Sequence, residues 1–222
     1  PITQMVEWPL KMSEINFKNF NIDYFKLKQL NLNESGLKKI YISGGDVKKL
    51  DAGLFPVSVK DLSLTEMGIQ QLADSFENLE NLQKLDLSGN QLRDIGPVKL
   101  PMASLQYLDV SQCNLRLISP FVVSMLEEKN KNAKLRVYAI DNVNVSVIDI
   151  RRVLKAIKGL SLVVSKFDKT LTEISKHSSR LHCQYTHVDH RIKQPEIDDL
   201  YNGSDSGSDE ESSVTKNKRR KI

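Results

Sequence analysis

The sequence has little of what marks membrane, secreted or zinc-bound proteins. It contains no run of about 18 apolar residues, the length a membrane-spanning helix needs. Residues 1–20 lack the basic start, apolar block and cleavage site of a secretory signal. Its two cysteines, Cys113 and Cys183, lie far apart without a CxxC pair, so neither a disulfide framework nor a structural zinc cluster is indicated. We therefore expect a protein of the nucleus, the cytoplasm or both.

Sequence motifs of common catalytic sites are also missing. The chain has no G-x-x-x-x-G-K-[ST], no G-x-S-x-G and no H-E-x-x-H, so phosphate-loop, hydrolase and zincin chemistry have no support. The two glycines of SGGDV, residues 43–47, fit the geometry of a turn. We expect no catalytic residue, no cofactor and no enzymatic activity.

One spacing pattern recurs along the chain. In LQKLDLSGNQL, residues 82–92, leucines stand at offsets 0, 3, 5 and 10, and an asparagine stands at offset 8. Copies that begin at positions 37, 59, 82, 105, 135, 157 and 178 are 21 to 30 residues apart. A weaker copy precedes them at Met12, Ile15, Phe17, Phe20 and Ile22. The later copies are read as Leu135, Tyr138 and Ile140, as Ile157, Leu160 and Leu162, and as Ser178, Leu181 and Cys183.

The spacing has a physical cause in a stack of parallel strands. Two leucines that flank one residue point to the same face of a strand, so stacked strands bury a continuous column of side chains. The asparagine position lies where the chain turns away from the strand, and an inward amide there can bind backbone groups of adjacent turns. In this interpretation only Asn90 keeps the amide, and Cys113 takes the same position.

The segments that return to the next strand differ along the chain. Residues 69–82 predict a short helix, whereas Pro97 and Pro101 favour extended or 3₁₀ backbone over residues 92–105. Later returns are more helical. Ser119 and Pro120 are predicted as the N-cap and a first-turn residue of one helix, and a second helix is predicted with Asp149 as N-cap and Gly159 as its end. Its apolar face comprises Ile150, Val153, Leu154 and Ile157.

This pattern resembles the leucine-rich repeat superfamily over residues 37–188, and LDLSGNQL is its most typical segment. The resemblance implies an α/β solenoid with a curved parallel sheet on the concave side and short helices, 3₁₀ and extended segments on the convex side. We divide the chain into degenerate N-terminal repeats (1–36), a repeat domain (37–194) and a disordered tail (195–222). Because no N-terminal cap is evident and the chain begins with Pro1, we expect further sequence upstream.

The resemblance also implies a function. Repeat proteins of this class generally act as noncatalytic scaffolds that bind a protein partner on the concave face. GLFPVSVKDLSL and LQYLDVSQCNL are similar to fungal F-box/leucine-rich repeat adaptors, which suggests substrate recognition for a ubiquitin ligase, with an F-box upstream. Two alternatives are a regulatory subunit of a type 1 protein phosphatase and a nuclear ribonucleoprotein-associated repeat protein.

Outward residues of the predicted strands would form columns that a partner can contact. Asp86 and Asp109 are expected on adjacent strands about 5 Å apart, a like-charge pair that a basic partner would stabilise. Alternatively, these aspartates are ordinary solvated positions. The central column is read as Tyr41, Ser63, Asp86, Asp109, Ala139, Ser161 and His182. The flanking columns are Lys39, Asp61, Lys84, Tyr107, Val137, Gly159 and Arg180, and Ser43, Thr65, Ser88, Ser111, Asp141, Val163 and Gln184. The predicted partner-binding residues are Tyr41, Lys84, Asp86, Tyr107 and Asp109.

All four histidines lie close to Cys183, which raises the question of a metal site. On a helix, Cys183, His187 and His190 would share a face and could bind zinc. The repeat spacing instead predicts a strand through Leu181 and Cys183, on which His182 points away from Cys183. We therefore expect no metal site.

The last residues change character. From Pro195 onward the chain is polar and charged, as in disordered segments. Ser206 and Ser208 each precede an acidic residue by three positions and are predicted phosphorylation sites. A closing basic cluster predicts nuclear import or, alternatively, a solubilising end; it comprises Lys216, Lys218, Arg219, Arg220 and Lys221. Basic residues of the folded part are scattered among acids, so we expect no nucleic-acid binding there.

Overall fold

Each repeat contributes one short strand to a parallel sheet. The computed structural model describes residues 7–127, 133–165 and 169–184. Its strands are β1 (Glu14–Phe17), β2 (Ile22–Asp23), β3 (Lys39–Ser43), β4 (Gly45–Asp46), β5 (Lys49–Leu50), β6 (Asp61–Thr65), β7 (Gln71–Leu72), β8 (Lys84–Asp86), β9 (Tyr107–Asp109), β10 (Leu135–Ala139), β11 (Leu160–Ser165) and β12 (Leu181–Gln184). Its α-helices are α1 (Tyr24–Gln29), α2 (Ser119–Val122), α3 (Val147–Ala156) and α4 (Lys169–Lys176), and 3₁₀ helices span Leu32–Glu34, Ala52–Leu54, Asp74–Asn78 and Val123–Leu126.

Eight of these strands form the main sheet, in the order β1-β3-β6-β8-β9-β10-β11-β12. Every neighbouring pair is parallel, and the pairs β2-β4 and β5-β7 form two small sheets beside it. In-register side chains line the core and are at most 6% exposed: Ile15, Ile40, Leu62, Leu85, Leu108, Val137, Leu162 and Leu181. The predicted α/β solenoid is therefore confirmed, including the pairing of the weak first copy through Ile15.

The alignment of two later copies was wrong. In the copy at position 135, Val137 rather than Tyr138 pairs with Leu108, so the true alignment is one residue earlier. In the copy at position 157, Leu162 rather than Leu160 pairs with Val137. In β10 the outward Tyr138 was taken as a core residue. In β11, LSLVVS, Leu160, Leu162 and Val164 are apolar and buried on the same face, so a shift by two residues leaves the apolar pattern unchanged.

A buried amide connects the turns of neighbouring repeats. Asn90 is 3% exposed, and its Oδ1 accepts hydrogen bonds from the backbone amides of Met67 and Ile69, both at 3.0 Å. Its Nδ2 donates to the carbonyl oxygens of Leu64 (2.8 Å) and Leu87 (2.7 Å). The predicted role of the asparagine position therefore holds, because one side chain binds four backbone groups that water cannot reach.

Asn142 is a second buried amide, which the sequence interpretation missed. It is fully buried, and its Oδ1 accepts from the backbone amides of Cys113 (3.1 Å) and Leu115 (2.8 Å). Its Nδ2 donates to the carbonyl of Val110 at 2.8 Å. The one-residue alignment error had placed Val143 at this position. Between the two amides, the buried Cys113 thiol donates to the carbonyl of Leu87.

A left-handed residue follows each of the first six strands of the main sheet. The residues are Asn19 (φ 54°), Gly44 (φ 83°), Glu66 (φ 56°), Gly89 (φ 72°), Gln112 (φ 55°) and Asp141 (φ 57°). This backbone conformation turns the chain sharply out of the strand, and glycine adopts it most readily. At Gly89 an added Cβ would also approach Glu66 Cγ to 2.9 Å. The turn predicted for SGGDV is therefore present at Gly44.

The return segments agree only partly with their predictions. Residues 69–82 contain the predicted short helix, as a 3₁₀ helix over Asp74–Asn78, and also β7. Residues 92–105 form turns and segments that are neither helix nor strand. Helix α3 begins at Val147 with Ser146 as N-cap, so the assignment of Asp149 as N-cap was wrong. Ser119 is likewise the first residue of α2 and not its cap.

Asp149 has a different role, which depends on the neighbouring repeat. Its side chain is 2% exposed, and Oδ2 accepts from the backbone amides of Ile118 (2.7 Å) and Ser119 (3.0 Å). These amides stand at the start of α2, where helix N–H groups have no partner within the helix. The carboxylate on α3 therefore stabilises the beginning of α2, and Arg152 pairs with its Oδ1 at 2.8 Å.

Arg180 binds the end of α3 from the following repeat. Its guanidinium donates to the carbonyl oxygens of Leu154, Ile157 (2.6 Å) and Leu160 (3.3 Å). The last carbonyls of a helix lack partners and carry partial negative charge, so a cation there is favourable. Arg180 therefore joins the segment before β12 to α3.

We predict that Asn90→Ala lowers the free energy of unfolding by about 2–4 kcal/mol, because it leaves buried amides and carbonyls without partners. Asn142→Ala should have a similar effect. Urea unfolding followed by circular dichroism measures the change. The matched control is Gln70→Ala, since Gln70 is exposed and its amide binds only Gln91 among the described residues. Equal stability of all three variants would contradict the role assigned to the buried amides.

A second prediction concerns Gly159, which lies against the previous repeat. A Cβ added there would overlap the carbonyl oxygen of Ala133, so Gly159→Ala must displace backbone. We expect a loss of about 1–3 kcal/mol, as for other overpacked sites. Gly96→Ala is the control, because a Cβ at Gly96 meets no atom within 4 Å. A thermal unfolding midpoint that is unchanged in Gly159→Ala would show that the two repeats are not packed this closely.

Candidate partner-binding face

The side of the main sheet opposite the core, here called the strand face, carries the outward residues of the strands. Its central column is Asn16, Tyr41, Ser63, Asp86, Asp109, Tyr138, Val163 and His182. Its flanking column is Glu14, Lys39, Asp61, Lys84, Tyr107, Arg136 and Ser161. The corrected alignment removes Val137, Ala139 and Gly159 from the columns. It moves Ser161 to the flanking column and Val163 to the central column.

Other predicted column members are also corrected. Asp141 lies in the left-handed turn after β10, and Ser165 takes the strand position beside Gln184. Arg180 is half-buried against the end of α3, so its guanidinium is already bound.

Two aspartates on adjacent strands form the centre of the strand face. Asp86 and Asp109 are register partners, as predicted. Each Oδ1 accepts from a backbone amide two residues later, Ser88 for Asp86 and Ser111 for Asp109, both at 2.9 Å. Such local hydrogen bonds fix the exit from the strand. The aspartates therefore have a structural role that needs no partner, as the alternative interpretation holds. That role is to fix the turn after each strand, and it is more than simple solvation.

Hydroxyl groups bind the second oxygen of each carboxylate. Ser63 Oγ donates to Asp86 Oδ2 at 3.1 Å, and the Tyr107 hydroxyl donates to Asp109 Oδ2 at 3.0 Å. These bonds hold the carboxylates in fixed orientations and partly compensate two neighbouring negative charges. The half-buried carboxylates keep further lone pairs that can accept from a partner.

An aromatic pair lies beside the aspartates. The rings of Tyr107 and Tyr138 have centroids 4.9 Å apart and planes inclined by 34°. Burial raises the pKa of Tyr107 above its usual value, and the negative charge of Asp109 and its hydrogen bond add to the increase. The phenol is therefore a neutral donor throughout the physiological pH range.

Tyr41 stands apart from the other four predicted residues. Lys84, Asp86, Tyr107 and Asp109 lie on the adjacent strands β8 and β9, whereas Tyr41 lies on β3, with β6 between. Its hydroxyl donates to Asp61 Oδ2 at 3.0 Å. Burial, followed by this hydrogen bond and the charge of Asp61, raises the pKa of Tyr41 to about 12.

Exposed cations border the aromatic pair. Lys84 and Arg136 are the register neighbours of Tyr107 on either side. Neither side chain forms an ion pair with another described residue, in contrast to Lys39, which pairs with Glu14 at 3.2 Å. Sequence reasoning missed Tyr138 and Arg136. The alternation of Leu135, Val137 and Ala139 with Arg136 and Tyr138 in LRVYA was the available sequence signal.

The histidine and cysteine cluster is divided as the strand register predicts. Cys183 pairs with the buried Val164, and His182 pairs with Val163 on the strand face, so their side chains point to opposite sides. Across the described residues, no group of three His, Cys, Asp or Glu side chains could hold a metal ion. His187 and His190 lie outside the described residues.

The predicted tail sites also lie outside the described residues. They are Ser206 and Ser208 for phosphorylation and Lys216, Lys218, Arg219, Arg220 and Lys221 for nuclear import. These assignments remain predictions. In the part of the chain that the structure describes, no helix is long and apolar enough to cross a membrane.

Comparisons with known proteins point to one family. Residues 35–92 match the model described as "Leucine rich repeat", and residues 80–122 match "Leucine Rich repeats (2 copies)". The mouse (Mus musculus) protein NACHT, LRR and PYD domains-containing protein 4E is 27% identical over 110 residues. That match covers 47% of this chain and 11% of the mouse protein. No solved structure matches the chain significantly.

The aspartate beside Tyr107 gives a testable effect on ionisation. We predict that Asp109→Asn lowers the pKa of Tyr107 towards its ordinary value, because a negative charge and a strong acceptor are removed while burial persists. A spectrophotometric titration of tyrosinate absorbance measures it, and subtraction of the matching Tyr107→Phe titration isolates this phenol. Identical tyrosinate titration curves for the wild type and Asp109→Asn would contradict the assigned contact between Tyr107 and Asp109.

The same shift has a consequence for stability. The folded-state pKa of Tyr107 lies above the ordinary value of 10.0, so folding favours the neutral phenol. This contribution to the free energy of unfolding is fully present below pH 10.0, and it is lost as the pH rises through the raised pKa of the folded state. Circular dichroism at each pH shows whether the protein is still folded, and so distinguishes this loss of stability from global unfolding.

Proposed function

Because the chain is a leucine-rich repeat protein, we propose that it is a noncatalytic scaffold that binds a protein partner along the strand face. Solenoids of this class present their parallel strands as an extended, curved surface, and they generally bind other proteins. The centre of the proposed interface is the cluster of Asp86, Tyr107, Asp109 and Tyr138, with Lys84 and Arg136 beside it.

The observation that carries this proposal is the fixed orientation of the central side chains. The hydroxyl of Tyr107 is bound to Asp109, and its ring contacts Tyr138, so these groups lose little conformational freedom when a partner binds. Tyrosine also provides a large apolar surface with a polar end, which makes it frequent at the energetic centre of interfaces. Cations beside carboxylates allow discrimination among partners by charge.

Three more specific roles are compatible with the same proposal. Substrate recognition for a ubiquitin ligase, regulation of a type 1 protein phosphatase and association with nuclear ribonucleoproteins would each use a protein-binding face. The strand face has the same chemistry in all three cases. The identity of the partner is therefore what distinguishes them.

We predict that reversing the charges at the centre of the strand face removes partner binding. The tagged wild type and the variant Asp86→Lys with Asp109→Lys are used to capture proteins from lysate of the source cells, followed by quantitative mass spectrometry. We expect partners enriched by the wild type to decrease at least about tenfold in the variant, because aligned charges become repulsive. Ubiquitin-ligase adaptors, a phosphatase catalytic subunit or ribonucleoproteins among them would select one finer role.

One control and one further strand-face variant make the result specific. Glu34→Lys with Glu80→Lys changes the net charge equally at exposed positions on return segments, and it should capture the same partners as the wild type. Lys84→Glu with Arg136→Glu alters the strand face without removing the bonds of Asp86 and Asp109 to backbone amides. If the strand-face variants fold normally and lose no partner that the control retains, the proposed interface is wrong.

A further inference from the structure

The exposed side of α3 brings together basic residues that alternate with apolar residues over positions 151–158. Helix α3 buries Val147, Asp149, Ile150, Val153 and Leu154. Positions three or four residues apart share one face of a helix, so its opposite side presents Arg151, Arg152 and Lys155 together. Lys158 follows shortly after the helix end and is also exposed. We call these four residues the basic strip.

Little negative charge compensates the basic strip. Asp149 is the single acidic residue between positions 143 and 158. Its Oδ2 is occupied by two backbone amides, and its Oδ1 accepts from Arg152. Arg151, Lys155 and Lys158 form no ion pair with any described residue. On the next helix, Glu173 is already paired with Lys176 at 2.7 Å. The basic strip is therefore a cationic surface with three unpaired charges.

Exposed apolar side chains continue the basic strip at its N-terminal end. Ile148 precedes Arg151 and Arg152 by one helical turn and is 64% exposed, and Leu117 on the neighbouring repeat is 42% exposed. The two repeats are joined here, because the Ser146 amide donates to the carbonyl of Arg116 at 2.8 Å. Ile148 and Leu117 therefore provide an apolar surface next to the cations.

We propose that the basic strip, together with Ile148 and Leu117, binds an acidic segment of a partner protein that also carries apolar side chains. Carboxylates of the segment would bind Arg151, Lys155 and Lys158, and an apolar side chain would cover Ile148. The phosphate backbone of a nucleic acid offers the charge but no apolar group for Ile148. The exposed strip also includes no aromatic side chain on which a base could stack.

This surface is distinct from the strand face. The buried side of α3 packs on the core, and the strand face is the side of the sheet away from the core, so the basic strip and the strand face are separate surfaces. One partner on each side can therefore bind at the same time. Failure of strand-face binding would leave this proposal unaffected.

The test uses a labelled synthetic peptide of glutamates with interspersed leucines, titrated with the full chain and followed by fluorescence anisotropy. The wild type should bind the peptide, and binding should weaken as salt is raised. Arg151→Glu with Lys155→Glu should weaken binding at least about tenfold, because two attractive contacts become repulsive. Ile148→Ser should weaken it severalfold, and a peptide with serine in place of leucine should bind less tightly.

Matched controls decide the outcome. Lys28→Glu with Lys48→Glu makes the same change of net charge at exposed positions elsewhere and should bind like the wild type. Arg151→Ala with Lys155→Ala replaces the charge-reversal variant if circular dichroism shows that the latter is unfolded. The proposal is overturned if the wild type does not bind the peptide or if the control loses binding equally. It is also overturned if the serine peptide binds as tightly, or if a single-stranded oligonucleotide binds more tightly through the same residues.

Discussion

In-register pairing of parallel strands is the constraint on which the rest of this structure depends. A single repeat has one apolar face and cannot bury it alone, so each repeat is stable because its neighbours cover it. The register also determines which side chains enter the core, since a shift by one residue would exchange Leu85 for Lys84 or Asp86. Leu62, Leu85 and Leu108 lie side by side and fix this register in the middle of the sheet.

Sequence reasoning succeeded where polar and apolar residues alternate. In KLD and YLD each strand has one apolar residue between polar or aromatic neighbours, so the buried face is unambiguous. It failed at β11, where all six residues are apolar or small, and at Tyr138, where an outward aromatic residue was taken as a core residue. Asn142 was missed for the same reason. The alignment error moved the amide out of the position that would have explained it.

Of the proposed binding face, the positions on β8 and β9 could be predicted, whereas Tyr138 and Arg136 on β10 and the hydrogen bonds could not. The repeat placed Asp86 and Asp109 side by side, yet it gave no indication that Ser88 and Ser111 amides would bind them. Those contacts depend on the turn after each strand, whose left-handed residues are mostly not glycine. The basic strip was missed because apolar residues separate Arg152, Lys155 and Lys158 in the sequence. They share a surface only once α3 forms.

The molecule thus carries two different charged surfaces. Carboxylates, phenols and the cations Lys84 and Arg136 share the strand face, whereas the exposed side of α3 presents mainly cations. The side chain of Arg180 has a consequence for the end of α3. Because it binds the carbonyls of Leu154 and Ile157 at the end of α3, fraying of β12 would also release the end of that helix. Opening at this terminus is therefore expected to involve helix and strand as one cooperative unit, with correlated amide hydrogen exchange in both.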